Sequence, residues 1–211
     1  APLITVCEPR AAHAKLSIEE RSKVKARQGV ELVSSGEVRV VGENGDEVSA
    51  DGKTLGEISV RGNVVMAGYY NDMNATEAAI RDGWFFSGDA AVVHPDGYIV
   101  IRDRFRDVII SGGENISSVE LEGCLLTHPA VQEVAVVGMP HEKWGESPHA
   151  FVVLKEGAEA TEESLKFHVR DRLAHFKTPQ MISFVKDLPK TATGKVQKYV
   201  LRKSAPGITR Q

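Results

Sequence analysis

The sequence predicts an α+β fold in two parts: a β-rich stretch through about residue 103, and a small α+β domain that follows residue 107. Three observations predict it. Between residues 36 and 103 apolar and charged residues alternate with a period of two, the pattern of half-buried strands. Helix-start signals tied to a 3.6-residue apolar stripe dominate only later, at Ser117 with Glu120 and at Thr161. Between these regimes lies Asp103-Arg104-Phe105-Arg106-Asp107, a charged segment suited to an exposed link.

Residues 10–35 are rich in Lys, Arg and Glu with little periodicity, which predicts a surface excursion containing a short helix over Ile18–Lys25. Val38 and Val40 alternate with charged residues in a first strand, which Glu43-Asn44-Gly45-Asp46 ends as a turn. Ile58 and Val60 mark the next strand. Asn74 is the expected cap of a short helix through Ile80. Strands over Trp84–Val93 and Tyr98–Asp103 follow, joined by the turn His94-Pro95-Asp96-Gly97.

In the second part, Val108-Ile109-Ile110 is a short buried strand that Ser111-Gly112-Gly113 terminates. A helix runs from the Ser117 cap to Thr127, where His128-Pro129 stops it. Strands are predicted over Val131–Val137 and Ala150–Leu154. Thr161 caps a helix carrying Leu165, Val169, Leu173 and Phe176 on one face. Met181–Val185 is a last strand and Val196–Lys203 a last helix, giving the order β-α-β-β-α-β-α.

With 211 residues, 42% hydrophobic and 26% charged, the composition is that of an ordinary globular protein. A net charge of -3 supplies no field that would recruit nucleic acid or an acidic membrane. No apolar run approaches membrane-spanning length and no basic-then-apolar leader is present. The last residues match no common targeting tripeptide, the peroxisomal one included. Cys7 and Cys124, far apart among apolar neighbours, argue against a disulfide framework and for a reducing, cytoplasmic setting. The opening Ala1-Pro2-Leu3-Ile4 reads as mid-domain sequence. The histidines show no metal-ligand spacing, so no metal site is expected on this chain.

Four segments carry possible chemistry. Ser87-Gly88-Asp89 sets a carboxylate after a glycine at a strand end, where it can accept hydrogen bonds from both hydroxyls of a ribose; on spacing alone a β-bulge with a solvated Asp is the simpler reading. Arg104 and Arg106 can hold a nucleotide hydroxyl or phosphate, although most such arginines are surface charges. Ser111-Gly112-Gly113-Glu114-Asn115 is a flexible turn beside a capped helix and matches no phosphate-binding glycine pattern. Pro189-Lys190-Thr191-Ala192-Thr193-Gly194-Lys195 lacks the leading Gly of a P-loop and has Val196 in place of its Ser/Thr, but a lysine after a glycine in an exposed loop can still reach a neighbouring site.

In this order, Gly83-Trp84-Phe85-Phe86-Ser87-Gly88-Asp89, Asp96-Gly97-Tyr98, Asp103-Arg104, Val108 to Ile116 and Pro189 to Lys195 resemble the C-terminal part of the adenylate-forming superfamily of acyl-CoA synthetases, luciferases and adenylation domains. The resemblance covers residues 36–203 and lies nearest to medium-chain, short-chain and aromatic acyl-CoA ligases. It implies that 1–103 end a large AMP-binding domain, 104–107 form a hinge and 108–211 form a small mobile lid. It also implies ATP-dependent activation of a carboxylic acid to an acyl-adenylate, then transfer to CoA with release of AMP.

Residue by residue, the resemblance assigns the ribose to Asp89 with help from Arg104, the hinge to Arg106 and the adenylation cation to Lys195. Gly112, Gly113 and Glu114 would line the CoA tunnel, with Trp144, Phe176 and Lys177 at positions that contact CoA in related ligases. Thr178 and Gln180 depart from the family, which usually has basic residues there. The Gly-rich phosphate loop and the Tyr-Gly-x-Thr-Glu segment of the family are absent. The expected partner is therefore an N-terminal part of the same enzyme, which would hold the Mg²⁺ site and most of the acyl pocket. Two alternatives stay open: an adenylation domain that loads a carrier protein, and a stand-alone lid-like binding module.

Overall fold

A computed structural model describes residues 4–204, so the opening tripeptide and the C-terminal tail considered above lie outside the described residues. The chain divides into two compact units, 1–106 and 107–211.

The first unit begins with strand β1 (Thr5–Val6), a 3-10 turn at Ala11–Lys15 and helix α1 (Ile18–Lys25). Ser17 caps α1 by accepting the Glu20 N–H at 3.2 Å, and Glu20 returns the bond to the Ser17 N–H at 2.8 Å. β2 (Val30–Glu31) pairs with β1. The main sheet comprises β3 (Glu37–Val41), β4 (Gly56–Arg61), β5 (Ile80–Arg81), β6 (Trp84–Val93) and β7 (Ile99–Arg104), with helix α2 (Met73–Ala79) before β5. Its order is β3-β4-β6-β5, and β7 pairs β6 beside β5. Val40, Ile58, Val60, Ala91 and Ile99 form the core of this unit, which is why alternation was visible in the sequence. The cap of α2 is Asp72, not Asn74: its carboxylate accepts the Ala75 N–H at 2.9 Å. Asn74 instead falls inside the helix, and Asp72 is the better acceptor for the helix N-terminus.

The second unit holds β8 (Ile109–Ser111), β9 (Glu114–Ile116), α3 (Ser118–Leu126), β10 (Val131–His141), β11 (Gly145–Leu154), α4 (Glu162–Arg170), β12 (Met181–Phe184) and α5 (Lys198–Ser204). Strand order is β10-β11-β8-β9, with β12 parallel to β11. The sheet is buried on both faces. Val134, Val136, Ala150 and Val152 pack under α3 and α4, with Leu121, Leu125, Leu165 and Val169. Ala135, Val137, Met139 and Phe151 pack on the opposite side with Leu188 and with Leu201 of α5. The continuous apolar run Val134–Met139 is the sequence mark of such a strand.

The second unit differs from the sequence reading in three places. Ser111 to Glu114 is a hairpin, so β9 is an added strand where a plain turn was expected. β10 and β11 extend through Pro140 and Pro148 to meet at a tip near Trp144; β10 lies at the edge of the sheet, where a missing N–H is tolerated. α4 ends at Arg170, Ala174 turns extended, and Phe176 sits 48% exposed in a separate 3-10 turn at His175–Lys177 instead of on the buried helix face.

Candidate functional site

In the first unit, β6 and β7 place Asp89 opposite Arg104. Arg104 Nε lies 2.9 Å from Asp89 Oδ1, while Arg104 Nη1 donates to the Ser87 carbonyl at 2.9 Å. Between them Gly88 has φ +73, and its N–H donates to Glu57 Oε1 at 2.8 Å. The β4–β6 register skips between Glu57 and Ser59, so the bulge suggested by the sequence is present. Asp89 is not merely solvated, however. It is ion-paired and 24% exposed, which orients a carboxylate while leaving it accessible to a ligand hydroxyl. Arg106 lies in the 3-10 turn Phe105–Asp107 at the division between the units. Asp107 opens the second unit and pairs with Arg202 of α5.

In the second unit, Gly112 (φ +60) and Gly113 (φ +87) form the β8–β9 turn. A Cβ on Gly112 would stand 2.8 Å from Trp144 Cε3, so the indole lies flush against bare backbone, and the Gly112 N–H donates to the Trp144 carbonyl at 2.9 Å. His141 Nδ1 accepts the Lys143 and Trp144 N–H groups at 3.2 and 3.3 Å, fixing the tip that presents the indole.

A groove of about 410 Å³ opens beside this tip, within the second unit. Gly112, Glu114, Trp144 and Phe176 line it, as do Thr178 and Gln180. Of the residues expected to bind CoA, Gly113 and Lys177 are not in its wall. Lys177 is turned to Glu120, 2.5 Å away. Sequence reasoning missed three basic residues of the wall: Lys166, Arg170 and His175. Lys166 and Arg170 are four apart on α4, a signal present in the sequence but indistinguishable from a solvated helix face. Lys166 Nζ contacts Glu162 at 2.7 Å and donates to the Gln180 carbonyl at 2.6 Å, whereas Arg170 is exposed with no ion-pair partner among the described residues. Thr178 Oγ1 is buried without a hydrogen-bond partner. The wall thus joins two aromatic faces to cationic groups, a combination chemically suited to a flat ring carrying anionic groups.

Lys195 occupies the tip of another hairpin. Lys190 pairs with Val196, the Thr191 N–H donates to the Lys195 carbonyl at 2.8 Å, and the Gly194 N–H to the Thr191 carbonyl at 2.9 Å. Gly194 has φ +82, and Lys195 is exposed. The two cysteines are free and half-buried, and burial pushes the Cys124 thiol above its ordinary value, which disfavours the thiolate. No helix among the described residues is long and apolar enough to cross a membrane.

The sequence profile described as the AMP-binding enzyme C-terminal domain matches residues 120–195. The 4-hydroxybutyrate–CoA ligase 2 of Metallosphaera sedula is 51% identical over 201 residues, covering 95% of this chain and 36% of that ligase. A probable CoA ligase of Humulus lupulus, CCL11, is 48% identical over 95% of this chain and 36% of its own length. The chain therefore spans little more than a third of these relatives, at 36% of each. Among solved structures, the o-succinylbenzoate CoA synthetase of Bacillus subtilis in complex with its acyl-adenylate intermediate superposes with a TM-score of 0.78 and 34% identity, covering 92% of this chain and 38% of that one.

Proposed function

We propose that this chain, which over residues 120–195 matches the AMP-binding enzyme C-terminal domain, is the C-terminal part of an acyl-CoA ligase of the adenylate-forming superfamily, completed by an N-terminal part of the same enzyme. The whole enzyme joins a carboxylic acid to CoA in two steps. A carboxylate oxygen of the acid forms a bond to the α-phosphorus of ATP, and the bond from that phosphorus to the bridging oxygen breaks, releasing pyrophosphate. The thiol sulfur of CoA then bonds to the acyl carbon as its proton passes to solvent. The carbon–oxygen bond to phosphate breaks and AMP leaves.

Asp89, oriented by Arg104, accepts hydrogen bonds from the ribose hydroxyls. Lys195 brings its ammonium to the charge that develops around the α-phosphate in the first step, which is where a preorganised cation is most effective. A rotation of the lid 108–211 about 104–107, centred on Arg106, then withdraws Lys195 and brings up the Gly112–Gly113 loop. Gly112, Gly113 and Glu114 wall the path of the thiol arm. Trp144 and Phe176 receive the adenine end of CoA, Lys166 and Arg170 its phosphates, and Lys177 steadies the Phe176 turn through Glu120. Among the described residues no group of three or more His, Cys, Asp or Glu side chains could hold a metal ion, and the Mg²⁺ that accompanies ATP is assigned to the N-terminal part. The two free thiols fit a reducing compartment, and we place the enzyme in the cytoplasm.

The observation that carries the CoA reading is the groove in which Gly112, Trp144 and Phe176 meet two α4 cations. Acid-dependent pyrophosphate exchange over a panel of carboxylic acids tests the first step. The full-length enzyme should show it, and this chain alone should not. Exchange by the isolated chain would defeat the reading as a part. Thioester formation on a carrier protein but not on free CoA would favour a carrier-loading domain.

A further inference from the structure

Lys195 projects from a hairpin, but the root of that hairpin is firmly held. Lys198, three residues on, opens α5 and turns inward. Its Nζ lies 2.7 Å from Glu122 Oε1 and 2.6 Å from Ser118 Oγ, both on α3. The Lys198 and Glu122 side chains are only 16% and 18% exposed. The same Glu122 oxygen accepts the Val136 N–H at 2.8 Å, so one carboxylate ties the start of α5, α3 and β10 together. On the other arm of the hairpin, Lys190 Nζ lies 2.7 Å from Glu133 Oε2 of β10. Lysine and glutamate rarely go so deep, and the desolvation of such a pair offsets most of its attraction. Its contribution is therefore to direction more than to stability. α3 also follows β9 directly, so its first turn carries the Gly112–Gly113 loop as well.

We propose that Lys198 is a positioning residue: locked to Ser118 and Glu122, it fixes the direction in which the Lys195 hairpin projects and couples that hairpin to the α3 turn bearing the Gly112–Gly113 loop. The two loops then move as one rigid body. The consequence for catalysis rests on the reading of Lys195 as the adenylation lysine; the mechanical consequence does not.

Amide hydrogen exchange on this chain tests the mechanics. In Lys198→Met the Thr191, Gly194 and Gln197 amides, bonded to Lys195, Thr191 and Pro189 carbonyls, should exchange about tenfold faster, while β11 amides from Ala150 to Val152 stay within about twofold. Lys198→Arg should restore protection. Glu122→Gln, which keeps an acceptor for Val136, is the second variant should Lys198→Met not fold, and it should loosen the hairpin in the same way. Unchanged hairpin exchange, or equal acceleration across β11, would overturn the proposal.

In the full-length enzyme, Lys198→Met should slow single-turnover acyl-adenylate formation about tenfold with KM for ATP within about twofold, and leave thioester formation from supplied acyl-adenylate intact. A loosened hairpin with undiminished adenylation would overturn the catalytic consequence. A wild-type enzyme that adenylates no acid would instead sink the ligase reading, while the exchange result would still stand or fall on its own.

Discussion

Two loops of the second unit carry the two proposed half-reactions, and they are built by opposite means. The Gly112 loop is pressed against the Trp144 indole, so close that a methyl group there would sit 2.8 Å from a ring carbon. The Lys195 hairpin has a glycine of similar handedness at Gly194, with nothing within 4 Å of a Cβ built there. One turn is shaped by contact from outside and the other by its own hydrogen bonds and the ion pairs at its root. A wall along which a thiol arm slides needs a fixed van der Waals surface. A cation delivered to a reacting phosphate needs reach and a defined direction.

The hardest test of this contrast is to remove each loop's working part. In the full-length enzyme Lys195→Ala should lower single-turnover adenylation by roughly 100- to 1,000-fold, about 2.7–4 kcal/mol, and spare thioester formation from pre-formed acyl-adenylate. Equal slowing of both steps would make Lys195 a general binding residue. Arg106→Pro, which fixes φ within the turn at the unit boundary, should separate the two steps the other way if the fixed conformer is the adenylating one.

Gly112→Ala should reverse the Lys195 pattern, slowing thioester formation and sparing adenylation. The new methyl must displace Trp144 and the residue must hold a positive φ, costs of about 1–3 kcal/mol each. A lower Tm together with changed Trp144 fluorescence would report the displacement, whereas Gly194→Ala should meet only the backbone strain. If both substitutions behaved alike, the outside contact would not be what shapes the first loop.

A smaller effect is expected at the cations of the groove. Arg170→Ala should raise KM for CoA by about tenfold or less, because the guanidinium is exposed and screened. Adenylation should not change. The same shift with a truncated pantetheine thiol would mean that Arg170 does not meet the phosphates.

The smallest effect concerns pH. Burial holds the His149 imidazole below its ordinary value against the opposing pull of Glu162; it stacks on Phe151 and sits 2.9 Å from Ser183 Oγ. A histidine with a depressed folded pKa contributes its stability above the unfolded value of about 6.5 and loses it as pH falls through the folded one. Partly buried His168 is lowered as well, by desolvation and by Arg172, and adds to the same slope. The second unit should therefore lose stability on acidification below about pH 6.5, and His149→Gln should flatten the denaturation profile there. An unchanged slope would assign it to other groups.

Much of this was legible in the chain. Alternation at Val38, Val40, Ile58 and Val60 and the caps at Ser117 and Thr161 mark elements that the structure contains, because strand faces and helix starts are encoded within a few residues. The order of motifs from Gly83 to Lys195 marked the family, and Gly88 before Asp89 marked a bulge, whereas the ion pair of Asp89 with Arg104 was not legible there. What the sequence could not supply was company. The strands expected over Val131–Val137 and Ala150–Leu154 continue past Pro140 and Pro148, and the longer hairpin sets Trp144 against Gly112. Phe176 kept helical spacing with Leu165, yet the helix stops at Arg170 and frees the ring for the groove. Lys166, Arg170 and Lys198 are ordinary surface lysines and arginines by local pattern. Only tertiary packing decides that two face a groove while the third turns inward onto Glu122, because burial and ion pairing depend on residues tens of positions away that no local period can register.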